Sequence, residues 1–345
     1  MTGSSSLPRV AIIGCGGTIT SRGTGPLDTM DYPEFGTKLS VADVLEAIPE
    51  TASVARTVLV PFREVSSSAI TTQDWFALRA TIRRMAAEQP DLAGFVILHG
   101  TASLEETAFF LDLTMSLEQP VVLVGAQRPL SAVGSDAPMN VIAALRTAAA
   151  PQSRGRGVLV VLNDEICSAR DVVKTHTLRV QTFRSADFGA LGVVDPDGVF
   201  YYRRNDESRS FAGGASEPAW PDFTALADDV ALPRVDIVYS YIGADGALVQ
   251  ACVAAGARGI VCAGMAPGMP AQAERDAYES ARRAGLALVQ CSRAGSGRVA
   301  NRRALRENGW IAGSSLSPQK ARILLSLALS QTEELEVLRG VFARF

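Results

Sequence analysis

Residues 10–20, Val-Ala-Ile-Ile-Gly-Cys-Gly-Gly-Thr-Ile-Thr, restrict the fold more than any other stretch of this 345-residue chain. Val10 to Ile13 form a short apolar run, rich in β-branched residues and bounded by glycine, and such a run reads as a buried parallel strand. Gly14, Gly16 and Gly17 follow. Three glycines in four positions let the backbone turn sharply and approach a ligand closely. Thr18 comes next, at the carboxyl end of the strand, where ligands sit in open α/β sheets. Its hydroxyl is a nucleophile if a neighbour activates it. A Gly-rich turn after a first strand is more often a phosphate cradle. The dinucleotide fingerprint needs a third glycine where Ile19 stands, and no Walker lysine follows, so glycine alone leaves both readings open.

A second stretch separates them. Residues 99–111, His-Gly-Thr-Ala-Ser-Leu-Glu-Glu-Thr-Ala-Phe-Phe-Leu, follow another apolar run, Gly94 to Leu98. Ser103 with Glu106 fits a capping box at the start of a helix. Thr101 is then a second threonine between a strand end and a helix start.

The alternation continues along the chain. Helices are expected at 41–48 (capped by Ser40), 71–88 (started by Thr71 with Asp74), 103–117 and 137–148, with strands at 57–60, 121–124 and 157–162. Residues 21–35 read as a long glycine-rich loop, of the kind that serves as a lid or stays disordered. The pattern fades from Tyr202 to Pro233, in a polar and Gly-rich linker. It resumes with strands at 236–239, 259–262 and 286–289 and helices at 244–254, 271–283, 318–329 and a last one to Arg344. Strands alternating with helices imply parallel sheets with right-handed crossovers. The expected class is α/β: a larger N-terminal parallel-sheet catalytic domain (1–203), a linker (204–232) and a smaller C-terminal α/β domain (233–345).

Composition is that of an ordinary soluble globular protein, 47% hydrophobic and 20% charged. A net charge of −3 argues against a nucleic-acid or membrane surface. No apolar run approaches the ~18 residues of a membrane span. The start lacks a signal peptide's basic region and apolar core. The five cysteines, Cys15, Cys167, Cys252, Cys262 and Cys291, read as buried free thiols of a reduced cytoplasm. No Cys/His cluster has metal-ligand spacing, and no metal or cofactor is expected. With only His99 and His176, a Ser-His-Asp triad has few candidates.

Taken together and in order, the two threonine stretches resemble the L-asparaginase/glutaminase amidohydrolases. That family carries Thr-Gly-Gly-Thr-Ile and then His-Gly-Thr-Asp-Thr-Met-Glu-Glu-Thr. This chain has Gly-Cys-Gly-Gly-Thr-Ile and His-Gly-Thr-Ala-Ser-Leu-Glu-Glu-Thr. Asn163-Asp164-Glu165 through Ala169-Arg170-Asp171-Val172-Val173-Lys174-Thr175, and Leu316-Ser317-Pro318-Gln319-Lys320-Ala321-Arg322, also match, so the resemblance covers almost the whole chain.

The resemblance implies catalytic roles for Thr18 as primary nucleophile, for Tyr32 as the assisting loop tyrosine, and for Thr101 with Lys174 as the second threonine and its lysine. A buried lysine amine can be neutral and act as a base. Without the motif, Lys174 reads as a surface lysine beside Arg170 and Asp171. Ser67 matches the serine that holds the substrate α-carboxylate, Ser68 stands at a variable polar position beside it, and N–H groups near Gly17 and Ala102 would face an oxyanion. The family also implies a homo-oligomer, a tetramer built as a pair of dimers, with the neighbour's second domain completing the site.

Position 102 departs from the family. Alanine replaces the aspartate that binds the substrate's α-ammonium group. The stretch 294–305, where many members bring a glutamate, holds Arg298, Arg302 and Arg303 and no acid. Three functions remain: an amidohydrolase for a small amide, lactam, lactone or ester lacking a free α-ammonium; a true asparaginase or glutaminase with another group replacing the aspartate; and a non-catalytic binding protein on the same fold.

Overall fold

The computed structural model describes residues 7–203 and 221–345 and divides the chain into two compact units, Met1–Asp206 and Glu207–Phe345. The first is built on strands β1 (Arg9–Gly14), β2 (Arg56–Pro61), β3 (Leu92–Leu98), β4 (Val121–Val124), β5 (Val158–Leu162), β6 (Glu165–Ser168), β7 (Gly192–Asp195) and β8 (Gly198–Tyr201). They form one eight-stranded sheet in the order β8-β7-β6-β5-β4-β3-β1-β2. β1 to β5 are parallel, as their apolar runs imply. β6, β7 and β8 extend the sheet antiparallel.

Helices α1 (Val41–Ala47), α2 (Thr72–Glu88), α3 (Leu104–Thr114) and α4 (Ala137–Ala149) cross over between the parallel strands. α1 and α2 start on capping boxes, Ser40 with Asp43 and Thr71 with Asp74. α3 does not. Ser103 makes no side-chain cap; its hydroxyl donates instead to the Ser67 carbonyl at 2.7 Å. The helix also ends at Thr114, short of the expected 117, where Met115 turns to extended backbone.

Two further elements were not expected. Residues 21–35 do not form a structureless loop: Ser21–Arg22 pairs antiparallel with Thr37–Lys38, and a helical turn, Tyr32–Phe35, sits between them. The turn from β5 to β6 is the pair Asn163 and Asp164, at φ 52° and 63°. Two successive residues at positive φ match the right-handed twist of a hairpin, and Asn and Asp tolerate that region better than most residues.

The second unit holds β9 (Val235–Tyr239), β10 (Gly259–Gly264), β11 (Ala287–Ser292) and β12 (Ile311–Ala312), all parallel and in chain order. Helices α5 (Ala247–Ala254), α6 (Arg275–Arg283), α7 (Pro318–Leu329) and α8 (Leu335–Ala343) accompany them. Residues 204–220 of the expected linker lie outside the described residues. The remainder is not loose: Phe223 is fully buried, and the Asp222 carbonyl accepts from Gln331. No helix among the described residues is long and apolar enough to cross a membrane.

Candidate active site

In the first unit, chain order reverses at β1, which lies between β2 and β3. Ligands in open α/β sheets bind outside the carboxyl ends of the strands at such a switch point. The three turns leaving β1, β2 and β3 meet there.

Glycine permits the meeting. Gly17 has φ 101°, and a Cβ on it would lie 2.1 Å from the Gly100 Cα. Gly16 has φ 84°, and its Cβ would strike the Val65 carbonyl at 2.3 Å. A Cβ on Gly100 would be 2.7 Å from the Ser67 hydroxyl. Gly100 therefore sits between Gly17 and Ser67, with Ser67 buried and clamped from behind by Ser103. Thr18 and Thr101 stand one residue beyond the two touching glycines. Ser68 instead turns outward, its hydroxyl 3.0 Å from that of Ser66, and Ala102 is exposed.

Each threonine has a titratable partner. Thr18 Oγ1 and the Tyr32 hydroxyl are 2.6 Å apart. Burial raises the Tyr32 pKa and the Thr18 hydrogen bond opposes the rise, so Tyr32 is a neutral phenol at neutral pH. Lys174 Nζ donates to Thr101 Oγ1 at 2.8 Å. Burial lowers the Lys174 pKa and the Glu105 carboxylate opposes the fall. Both shifts follow from taking a charge out of water.

Three supports of these pairs escape a reading of the sequence. Asp28 Oδ1 accepts the backbone N–H groups of Met30, Asp31 and Tyr32, and Oδ2 accepts the N–H and hydroxyl of Thr24. The Thr24 N–H foremost, with these other bonds, holds the Asp28 carboxyl below the usual carboxylate range. This cage shapes the turn that presents Tyr32. Its signal was an Asp four residues before the tyrosine in a Gly-rich segment, a common Asx-turn pattern. Glu105, four residues after Thr101, accepts the backbone N–H of Lys174 at 2.5 Å. The third support is a chain of bonds behind the Thr101 turn: Trp75 Nε1 donates to Thr107 Oγ1 at 2.8 Å, Thr107 Oγ1 is 3.0 Å from His99 Nε2, and His99 Nδ1 is 2.8 Å from the Gly100 carbonyl. A carbonyl only accepts, so Nδ1 carries the proton and Nε2 accepts from Thr107. Burial pushes the His99 pKa down to about 4, which keeps this tautomer neutral.

In the second unit, Arg302 donates to the Met269 thioether at 3.2 Å and Arg303 pairs with Glu307 at 2.6 Å, so two of the three arginines of 294–305 are engaged within that unit.

The first unit thus carries a switch point with two threonines, one bonded to a tyrosine and the other to a lysine, in a two-unit α/β chain. The chain belongs to the L-asparaginase/glutaminase family. The family's N-terminal asparaginase domain matches residues 9–207, and its glutaminase/asparaginase C-terminal domain matches residues 234–342. The chain is 37% identical over 339 residues to L-asparaginase 2 of Bacillus subtilis, covering 98% of this chain and 87% of that one. It is 37% identical to a probable periplasmic L-asparaginase of Haemophilus influenzae over 98% of this chain and 93% of that one. The solved structure of a probable cytoplasmic L-asparaginase from Campylobacter jejuni superposes with a TM-score of 0.89 at 35% identity, covering 98% of this chain and all of that one.

Proposed function

We propose that this enzyme hydrolyses a small amide through Thr18, and that its substrate lacks a free α-ammonium group. The observation that carries the reading is the pairing of each threonine with its own proton-handling group, beside a turn that has alanine at position 102. Thr18 Oγ attacks the amide carbon. Its proton passes to the Tyr32 oxygen as the phenolic proton moves to the leaving nitrogen, so the neutral tyrosine relays a proton rather than acting as a base. The C–N bond breaks and the amine leaves, with the acyl group esterified to Thr18. Water then attacks the ester, losing its proton to the Thr101–Lys174 pair; Thr18 Oγ leaves with the Tyr32 phenolic proton and becomes a hydroxyl again, and the pair's proton returns through solvent to restore the phenol. Main-chain N–H groups at Gly17 and Ala102 stabilise the oxyanion. Ser67 holds a carboxylate or other acceptor of the substrate, with Ser68 at the rim.

If Thr101 and Lys174 act as one unit, Thr101→Val and Lys174→Met each lower kcat severely, and the double variant is little worse than either single. Steady-state kinetics of the three variants checks this, and clean multiplication of the two defects rejects the pair. A second reading, true asparaginase or glutaminase activity, is favoured by the relatives, which bear the name L-asparaginase.

The same reading includes a homotetramer built as a pair of dimers. α5 is strongly apolar, yet Val249 is the residue it buries while its Leu248 is 51% exposed; Ile242, in the turn before it, is 91% exposed, and Tyr239 on edge strand β9 is exposed too. Several large apolar residues exposed within one short stretch suit an interface, and closed symmetric assemblies are the common outcome. Light scattering is expected to give a mass of four chains; a monomeric mass refutes it.

A further inference from the structure

We propose that Glu105 is the positioning residue that seats Lys174 on Thr101, by accepting the Lys174 backbone N–H with a buried carboxylate. The inference rests on the reading of Thr101 and Lys174 as a catalytic pair. Lys174 lies on a two-residue strand, Val173–Lys174, whose sheet partner is the equally short Phe183–Arg184. A ribbon of that size has little stability of its own, so the placement of Lys174 depends on what else holds it. Two bonds do. The tip donates to Thr101 Oγ1 and the main chain donates to Glu105 Oε2. Thr101 and Glu105 are four residues apart on the turn into α3, so both ends of the lysine are fixed to one rigid element. Glu105 sits in the first turn of α3, where the helix dipole favours its negative charge, and it is buried.

The carboxylate also bears on charge. Around Lys174 stand Glu105 on α3, Arg184 on the paired strand, the Arg170–Asp171 ion pair before it and His176 after it. Burial favours the neutral amine, and Glu105 is the charge that opposes it. Glu105 thus places the amine and moderates how readily it loses its proton. Removing the charge while keeping the acceptor lets the Lys174 pKa fall further, and the acid limb of the kcat profile moves to lower pH.

The chain provides a direct readout. Lysine occurs at only three positions, Lys38, Lys174 and Lys320, among 33 basic residues. Labelling with [13Cε]lysine gives one resonance per site, and Lys174→Arg identifies the one that matters. In Glu105→Gln the Lys174 resonance is expected to titrate roughly one pH unit or more lower than in wild type, the usual size of a nearby charge's effect. Glu105→Leu removes charge and acceptor, and kcat is expected to fall about 10²-fold, the scale of an ångström's misplacement; Glu105→Gln restores most of it. An unshifted Lys174 resonance in Glu105→Gln, or full kcat in Glu105→Leu, overturns the proposal. A shifted resonance with an unmoved pH–rate profile upholds Glu105 and removes Lys174 from the role of base, so the two readings fail separately.

Discussion

Replacing Thr18 by alanine is expected to lower kcat on the order of 10³-fold or more, whatever amide is supplied, because a lost nucleophile has no local substitute. The effect belongs to chemistry and not to folding. The Thr18 hydroxyl bonds to Tyr32 at 2.6 Å, whereas the turn is closed by main chain, Thr20 N–H to the Gly17 carbonyl at 3.2 Å and Leu39 N–H to the Thr20 carbonyl at 2.9 Å. Alanine leaves those bonds and the two left-handed glycines untouched. The check is turnover of the best substrate at saturation, with thermal melting as the control for structure. Turnover above a tenth of wild type, with melting unchanged, excludes Thr18 as nucleophile.

The second large effect concerns Ala102. Wild-type enzyme is expected to hydrolyse L-asparagine poorly and to prefer succinamic acid, the same amide without the amino group, or an uncharged cyclic or acylated amide. An ammonium in a partly desolvated pocket needs a carboxylate. Removing one partner of a fully buried ion pair costs ~3–5 kcal/mol, and since Ala102 is exposed in the free chain this is the upper limit. At ~1.4 kcal/mol per tenfold, that is roughly a hundred- to a few thousand-fold. Two carboxylates near the strand ends have other tasks: Glu105 accepts from Lys174, and Asp136 accepts the backbone N–H groups of Gln127 and Arg128. Ala102→Asp is therefore expected to raise kcat/KM on L-asparagine relative to succinamic acid. The ratio for the two substrates, in wild type and variant, is the measurement. A wild-type preference of tenfold or more for L-asparagine means that another group neutralises the ammonium, and the enzyme is then a true asparaginase.

The parallel strands other than the two-residue β12 were legible because each is a compact apolar run; β12, Ile311–Ala312, is too short to show one. The antiparallel extension was not. β6, β7 and β8 have four residues each, too few for a period to emerge, although Asn163-Asp164 and Pro196-Asp197-Gly198 carry hairpin chemistry. Among the site residues, Thr18 and Thr101 announce themselves by their place after a strand. Lys174 does not: it reaches Thr101 across 73 residues of sequence, and only resemblance joined the two beforehand. Ser103 shows the converse error. Its spacing to Glu106 satisfies the capping rule, but a nearby carbonyl, that of Ser67, took the hydroxyl. Asp28 and Glu105 were hidden because both act on backbone N–H groups, which sequence does not distinguish.

The contact between Gly17 and Gly100 has a bearing on how such an enzyme diversifies. The two turns that carry the threonines touch main chain to main chain, so the spacing of the two hydroxyls is written in backbone and is insulated from side-chain drift. The exposed positions around them, Ser68 and Ala102, have no such restraint. If the proposed roles hold, a lineage can exchange one substrate for another at those positions while the two hydroxyls stay in register, and a directed library has the same partition: the rim is the alphabet, and the glycines are the page.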